Sequence, residues 1–186
     1  MNEATYLALK LQLMAHGALR PEAWERILEF CKQTRLKPNE TFIRKEGTLA
    51  YVAEGILKEY DVKNRKSPVI VNFILPTQWL ITRLHNQSYY LKASIPTVIV
   101  YWDLADLFIL AEEYQELKAT YSKLCATYDE AWAYSRVILE EKSARQKIAL
   151  LLQRYQKNIP QLSKKNLSNY LRLNYDYFTL LFHQLL

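Results

Sequence analysis

The sequence predicts an α+β fold: helix first, then a set of short antiparallel strands, then helix again to the end. Three observations predict it. Apolar residues recur at helical spacing before residue 35 and again from Leu104 almost to the last residue. Between Thr41 and Trp102 the texture changes to short β-branched and aromatic runs broken by polar turns. Half of the 186 residues are hydrophobic and 24% are charged, a balance that supports a buried core and argues against disorder.

The first 35 residues read as helix. Pro21 stands at an N1-like position, and Trp24, Ile27, Leu28 and Cys31 follow at i, i+3, i+4 and i+7. Lys37-Pro38-Asn39-Glu40 reads as a turn. Strands are expected at Leu49–Ala53, Ile56–Tyr60, Val69–Phe73 and Thr97–Tyr101, with hairpin turns at Glu54-Gly55 and Asp61–Ser67. Short strands at this spacing suggest an antiparallel sandwich or barrel. Leu117, Tyr121, Leu124, Tyr128, Ala131, Ser135 and Ile138 step by four and three, a heptad stripe suited to a dimer helix. A helix packed on its own domain would show the same stripe. Past Pro160, Ser163 is the expected N-cap of a helix over 164–173. Asn174-Tyr175 is the expected turn and Asp176 the expected cap of a helix over 177–186. Two short helices about a tight turn fit a helix-turn-helix, or a helical hairpin that ends a bundle.

The formal net charge of +6 is unevenly spread. Residues 142–186 hold eight Lys or Arg and one acid, net +7, while the first 141 residues hold the other 17 basic and 18 acidic groups, net −1. That asymmetry suits a phosphate-rich partner, because cations displace counterions condensed on nucleic acid; a solvated basic helix face is the plain alternative. Two cysteines, Cys31 and Cys125, fit neither a disulfide framework nor metal-ligand spacing. Histidines stand apart at 16, 85 and 183, so no metal or other cofactor is expected. No G-x-S-x-G, P-loop or G-x-G-x-x-G is present, and a non-enzyme is expected. With no charged-then-apolar leader and no run of about 18 apolar residues, the expectation is a soluble cytoplasmic protein with no membrane partner.

The order of N-terminal helix, antiparallel β-roll (double-stranded β-helix), long dimerisation helix and basic helix-turn-helix resembles the Crp/Fnr family of bacterial transcription regulators. Tyr51–Tyr60 is similar to that family's "y-i-x-x-G-x-l-k-x-y" hairpin. Lys164–Leu181 is similar to its "s-k-x-x-l-A-x-y-L-x-i-s-x-x-x-l-s-r" segment, with Tyr170-Leu171 on "y-L" and Thr179 on the serine that opens the reading face. Arg44–Leu49, a shortened start of the roll, resembles divergent members from the Bacteroidetes. The resemblance implies three parts: a cyclic nucleotide-binding-like sensor over 1–115, a dimerisation helix over 116–141, and a helix-turn-helix over 142–186 lacking a full wing.

The family's cyclic-nucleotide cassette joins a Gly-Glu pair to an Arg-Ser/Thr-Ala triplet. Here Pro76-Thr77 and Gln87-Ser88-Tyr89 take those places, and 70–96 contains no Asp or Glu. A buried phosphate without a cation is unfavourable by several kcal/mol, so the cassette is degenerate and cyclic AMP is not the expected effector. Arg83 and Lys92 are the only cations there besides the lone His85. The resemblance further implies double-stranded DNA as partner, a homodimer, and a small-molecule effector of another kind. Lys164, Lys165 and Arg172 would hold phosphates, Thr179, His183 and Gln184 would face bases, and Tyr177 would belong to the same DNA-binding set. Family members carry arginines near Leu180, Phe182 and His183; this chain does not. The apolar final helix therefore leaves a second class open, an interaction protein that keeps the architecture without DNA contacts. A cupin-like enzyme would need two metal-binding histidines in the roll and finds only His85; four-cysteine iron–sulfur ligation fails on the cysteine count.

Overall fold

The computed structural model of the chain describes residues 3–63, 67–84 and 86–185. Two helices, α1 (Glu3–His16) and α2 (Pro21–Glu29), lead into eight strands: β1 (Lys32–Leu36), β2 (Thr41–Phe42), β3 (Leu49–Glu54), β4 (Leu57–Asp61), β5 (Val69–Ile74), β6 (Trp79–Ile81), β7 (Tyr90–Ala93) and β8 (Thr97–Trp102). Five helices follow: α3 (Leu104–Glu113), α4 (Glu116–Glu140), α5 (Ala144–Tyr155), α6 (Lys164–Leu171) and α7 (Tyr175–Leu185).

The strands form two antiparallel four-stranded sheets, ordered β1-β8-β3-β6 and β2-β7-β4-β5. Gly55, at φ +83°, turns β3 into β4, so the hairpin crosses between the sheets; a Cβ there would collide with the Pro96 carbonyl and Thr97. β3 and β5 are buried almost throughout because helices cover the faces that do not line the roll, which is why they read as continuous apolar runs rather than alternation.

The expected helix over the first 35 residues ends early. Pro21 does open α2, but Lys32–Leu36 is a strand, with Lys32 opposite Tyr101 and Leu36 opposite Thr97. Pairing with β8 overrides the continuing helical pattern. The turn at Lys37–Glu40 is present, with Glu40 N–H donating to the Lys37 carbonyl at 3.0 Å. β6 and β7 escaped the sequence pattern because they are only three and four residues long.

The core divides into two clusters. One fills the roll and extends under α1 to α4; the other joins Ile56, Ile70 and Phe73 of the roll to Ile138, Ile148, Leu151, Tyr155, Leu167, Tyr170, Phe178 and Phe182. The terminal helices thus share a core with the β4–β5 face, centred on Phe73, whose ring lies 5.6 Å from Tyr155 and 5.2 Å from Tyr170.

The stripe expected to form a dimer seam faces inward. Leu117, Leu124, Tyr128, Ser135 and Ile138 are buried within the single chain, and Tyr121 and Ala131 are half-buried beside them. The periodicity is real, and within the single chain these side chains pack on their own roll and terminal helices. Amphipathic spacing reports a buried face without saying what buries it.

Candidate nucleic-acid interface and ligand cassette

Ser163 caps α6, its Oγ accepting from the Asn166 N–H at 3.2 Å. Arg172 ends the helix in the left-handed region at φ 58° and is exposed. The cap of α7 is Asn174, not Asp176: Asn174 Oδ1 accepts from Asp176 and Tyr177 N–H at 2.9 and 3.2 Å. Asn174 lies just before the helix, where a side-chain oxygen reaches the free N–H groups; Asp176 is already inside the first turn.

α6 and α7 pack through Leu167, Tyr170, Leu171, Phe178 and Phe182, all buried. Lys165, Arg172, Tyr177, His183 and Gln184 are exposed. Lys164 Nζ lies 2.8 Å from His183 Nε2; since the ammonium has only donors, Nε2 accepts, which ties an expected phosphate contact to an expected base contact. Thr179 is half-buried, and its Oγ1 is buried without a hydrogen-bond partner. Leu180 takes the outward place, 59% exposed beside Tyr177.

The basic residues of the terminal segment separate into two groups. Lys147 Nζ bonds the Leu139 carbonyl at 3.0 Å, and Arg154 Nη2 bonds the Ala131 carbonyl at 2.8 Å with its guanidinium over Tyr134. Both are held by the chain itself. Lys142, Arg145, Lys157, Lys165 and Arg172 stand in solvent.

The two stretches expected to make a ligand cassette lie in different turns. Pro76-Thr77 forms the β5–β6 turn, with Thr77 at φ 67° and its N–H on the Val52 carbonyl. Gln87-Ser88-Tyr89 belongs to the β6–β7 turn. A small cavity of about 90 Å³ beside Thr77 is lined by Asn72, Trp79, Tyr128 and Arg154 among others, and not by 87–89. Arg83 pairs with Asp129 on the surface, and Lys92 lies over the Tyr90 ring. His85 falls outside the described residues.

Sequence reasoning missed a buried polar cluster under the β6–β7 turn. Arg44, its side chain 3% exposed, directs Nη2 to the carbonyls of Asn86 (2.6 Å) and Tyr89 (3.2 Å) and to Glu59 Oε1 (3.2 Å). Asn86 Nδ2 donates to Tyr128 Oη at 2.6 Å, and Trp132 Nε1 donates to the same hydroxyl at 2.8 Å. Ser135 Oγ donates to Asn72 Oδ1 at 3.2 Å. Burial pushes the Glu59 carboxyl above its ordinary value against the opposing pull of Arg44, and pushes the Tyr128 phenol up as well. The cluster runs from the β6–β7 turn to α4. The sequence carries no distinct signal for it, because Glu59 stands between Lys58 and Asp61 in a strand of mixed charge, and its burial and its partner Arg44 follow only from the packing.

Among the described residues no group of three His, Cys, Asp or Glu is placed to hold a metal, and no helix is long and apolar enough to cross a membrane. No family model and no curated protein matches the sequence. Solved structures do. A cyclic nucleotide-binding domain containing protein from Listeria monocytogenes EGD-e superposes with TM-score 0.70 at 14% identity, covering 96% of this chain and 90% of that one. FixK2 from Bradyrhizobium japonicum gives TM-score 0.67 at 15% identity over 83% and 84% of the two chains. A Eubacterium rectale protein assigned to the Crp/Fnr family of transcriptional regulators gives 0.65 at 12% over 89% and 83%. The chain has the Crp/Fnr fold. Within a Crp/Fnr fold, the roll, α4 and the terminal helices of this chain are successive parts of one architecture, and the Arg44 cluster is a direct polar link between the first two.

Proposed function

We propose that the chain is a homodimeric DNA-binding transcription regulator of the Crp/Fnr type that does not respond to cyclic AMP. Residues 1–115 act as sensor, 116–141 as coupling and dimerisation helix, and 142–186 as the DNA-binding unit, working in the cytoplasm. The observation that carries this reading is the capped α6–α7 pair, which leaves Lys165 and Arg172 in solvent on a segment of net charge +7. Lys164, Lys165 and Arg172 hold phosphates, while Tyr177, His183 and Gln184 reach base edges. The fold's likeness to regulators supports the class and argues against an enzyme. With the inner stripe of α4 buried, the dimer contact falls to its outward face, where Ala119, Ala126 and Ala133 recur every seven residues and Val137 is 56% exposed.

Cyclic AMP is disfavoured on electrostatic grounds. Gln87 stands in the place of the phosphate-pairing arginine, and the Arg44 guanidinium under that turn is already engaged by Glu59 and two carbonyls. The test is duplex binding to random genomic fragments at low and physiological salt, with the K164A/K165A/R172A variant alongside. Steep salt weakening and a large loss in the variant are expected; unchanged affinity in the variant overturns the phosphate assignment.

A second reading, a protein-interaction module without DNA contacts, is favoured by one feature: the exposed face of α7 centres on Leu180 and Tyr177 while the Thr179 hydroxyl is buried. Failure of a folded dimer to bind any duplex at low salt would select it.

A further inference from the structure

The outer face of the β2-β7-β4-β5 sheet carries two lysines side by side without a counter-charge. Lys58 of β4 stands directly opposite Lys92 of β7, and Tyr60 stands opposite Tyr90 at the next pair on that face. Ile70 and Phe73 of β5 share the face and lie under the terminal helices, while Leu57, Leu91 and Ala93 on the other face fill the roll. The Tyr60 and Tyr90 rings stack at 4.9 Å and 13°. Lys58 Nζ lies 5.8 Å from the first ring and Lys92 Nζ 5.5 Å from the second. Because the strands are antiparallel, both lysines approach the stack from the same end.

Like charges directly opposite each other in a sheet are destabilising, and a lysine is almost never buried unless it is paired. Lys58 is 5% exposed, yet its one hydrogen bond goes to Asn39 Oδ1, at 3.5 Å. Among the described residues Lys92 meets only the Tyr90 ring. The acids close in sequence are engaged elsewhere. Glu59 pairs with Arg44 inside the roll, Asp61 Oδ1 accepts the Lys63 N–H, and Glu40 Oε2 accepts the Lys37 N–H. Asn39 and Thr41 are exposed and Lys92 and Tyr90 half-buried, so the pair lies at the protein surface.

We propose that Lys58 and Lys92 form a binding site for a doubly charged oxyanion, a phosphate or sulfate group, held between the two ammonium groups beside Asn39. Side chains that leave neighbouring strands about 5 Å apart can both reach the oxygens of one tetrahedral anion. Such an anion removes the repulsion and the uncompensated charge together; a carboxylate supplies only half the charge. The site is on the outside of the roll, apart from both turns of the cassette, and stands whether or not the chain binds DNA.

The test is an NMR titration of the full chain with sulfate, inorganic phosphate, phenyl phosphate and acetate at constant ionic strength. Saturable shifts of the Asn39, Lys58 and Lys92 amides are expected with the first three, and binding at least about tenfold weaker with acetate. Phenyl phosphate binding more tightly than the free ion would assign the site to an organic phosphate, and equal binding to the inorganic ion; either supports it. Lys58→Met and Lys92→Met are each expected to weaken sulfate about ten- to a hundredfold, the range of one hydrogen bond to a charged group. The amide spectrum itself reports that each variant is folded. The K164A/K165A/R172A variant is expected to keep the shifts, which separates this result from the test of DNA binding. Shifts that do not saturate, that survive both Met variants, or that acetate produces as readily as sulfate overturn the proposal. So do shifts lost only in the triple variant, which would place the anion on the terminal helices.

Discussion

Asn169 of α6 serves as the edge partner of Ile70 in β5. Its Oδ1 accepts the Ile70 N–H at 2.7 Å, and its Nδ2 donates to the Pro68 carbonyl at 3.3 Å, across about a hundred residues of sequence. β5 is the last strand of its sheet, so one row of its backbone groups lacks a neighbouring strand. A single side-chain amide satisfies two of those groups and, with the Phe73–Tyr170 contact, fastens the terminal helices to the roll.

Asn169→Ala is therefore expected to destabilise the chain by about 1–3 kcal/mol, the penalty of an orphaned backbone N–H. Amide exchange should report it locally, with the Ile70 amide losing protection before those of β3. Equal loss of protection in β3 and β5 would mean that Asn169 supports the whole core and not the docking of α6.

Arg44 and Glu59 make a second case in which removing one partner and removing both differ. Glu59→Gln leaves the buried Arg44 guanidinium without its counter-charge and is expected to cost about 3–5 kcal/mol. The double variant Arg44→Met, Glu59→Leu is expected to recover much of that. Chemical denaturation of the three proteins measures the difference; a double variant no more stable than Glu59→Gln would show that the Asn86 and Tyr89 contacts of Arg44 matter more than the ion pair.

Lys58 supplies the pH dependence. Burial, and secondarily the nearby Lys92, hold its ammonium below the ordinary value of 10.5. The unfolded chain then binds this proton more tightly than the folded one, so the cost of burying the charge is fully present below the depressed value and stability rises with pH between that value and 10.5. Lys58→Met is expected to raise the Tm at pH 7, with the gain shrinking as pH approaches 10.5. A gain independent of pH would assign it to packing alone.

Leu124 and Val137 separate the two faces of α4. Leu124→Ala, in the buried stripe, is expected to cost about 2–5 kcal/mol of folding stability. Val137→Ala, 56% exposed, is expected to change stability by less than about 0.5 kcal/mol and to weaken self-association. Thermal melts and sedimentation read the two effects independently; a Leu124→Ala chain that melts normally but sediments as a monomer would return the seam to the inner stripe.

Arg154→Ala and Lys165→Ala make the same separation for charge. Arg154 bonds a helix carbonyl and covers two tyrosine rings, so its loss is expected to lower the melting temperature. Lys165 stands in solvent, and its loss is expected to lower duplex affinity and the salt slope without moving the melt.

Local pattern was enough for the longer elements. Pro21 opens α2, Ser163 caps α6, the turn falls at Lys37–Glu40, and four of the eight strands stand where β-branched runs predict them. Each of those signals acts within a few residues, through fixed φ, a side chain reaching a nearby N–H, or side-chain periodicity. Elements too short to carry a period, β6 and β7, left none, and β1 was hidden inside a helical pattern because its reason for being a strand lies 65 residues away in β8. The amphipathic stripe of α4 was legible as a face, but whether a second chain or the roll covers it depends on where the chain folds back. The same limit applies at the site: the net positive end was plain from charge counts, whereas the engagement of Lys147 and Arg154 and the meeting of Arg44 with Glu59 follow from contacts between different elements. Periodicity, capping and charge belong to the sequence, since they are properties of neighbours along the chain. Which polar groups are engaged and which remain in solvent was decided only by tertiary packing, because burial and hydrogen-bond partnership are properties of neighbours in space.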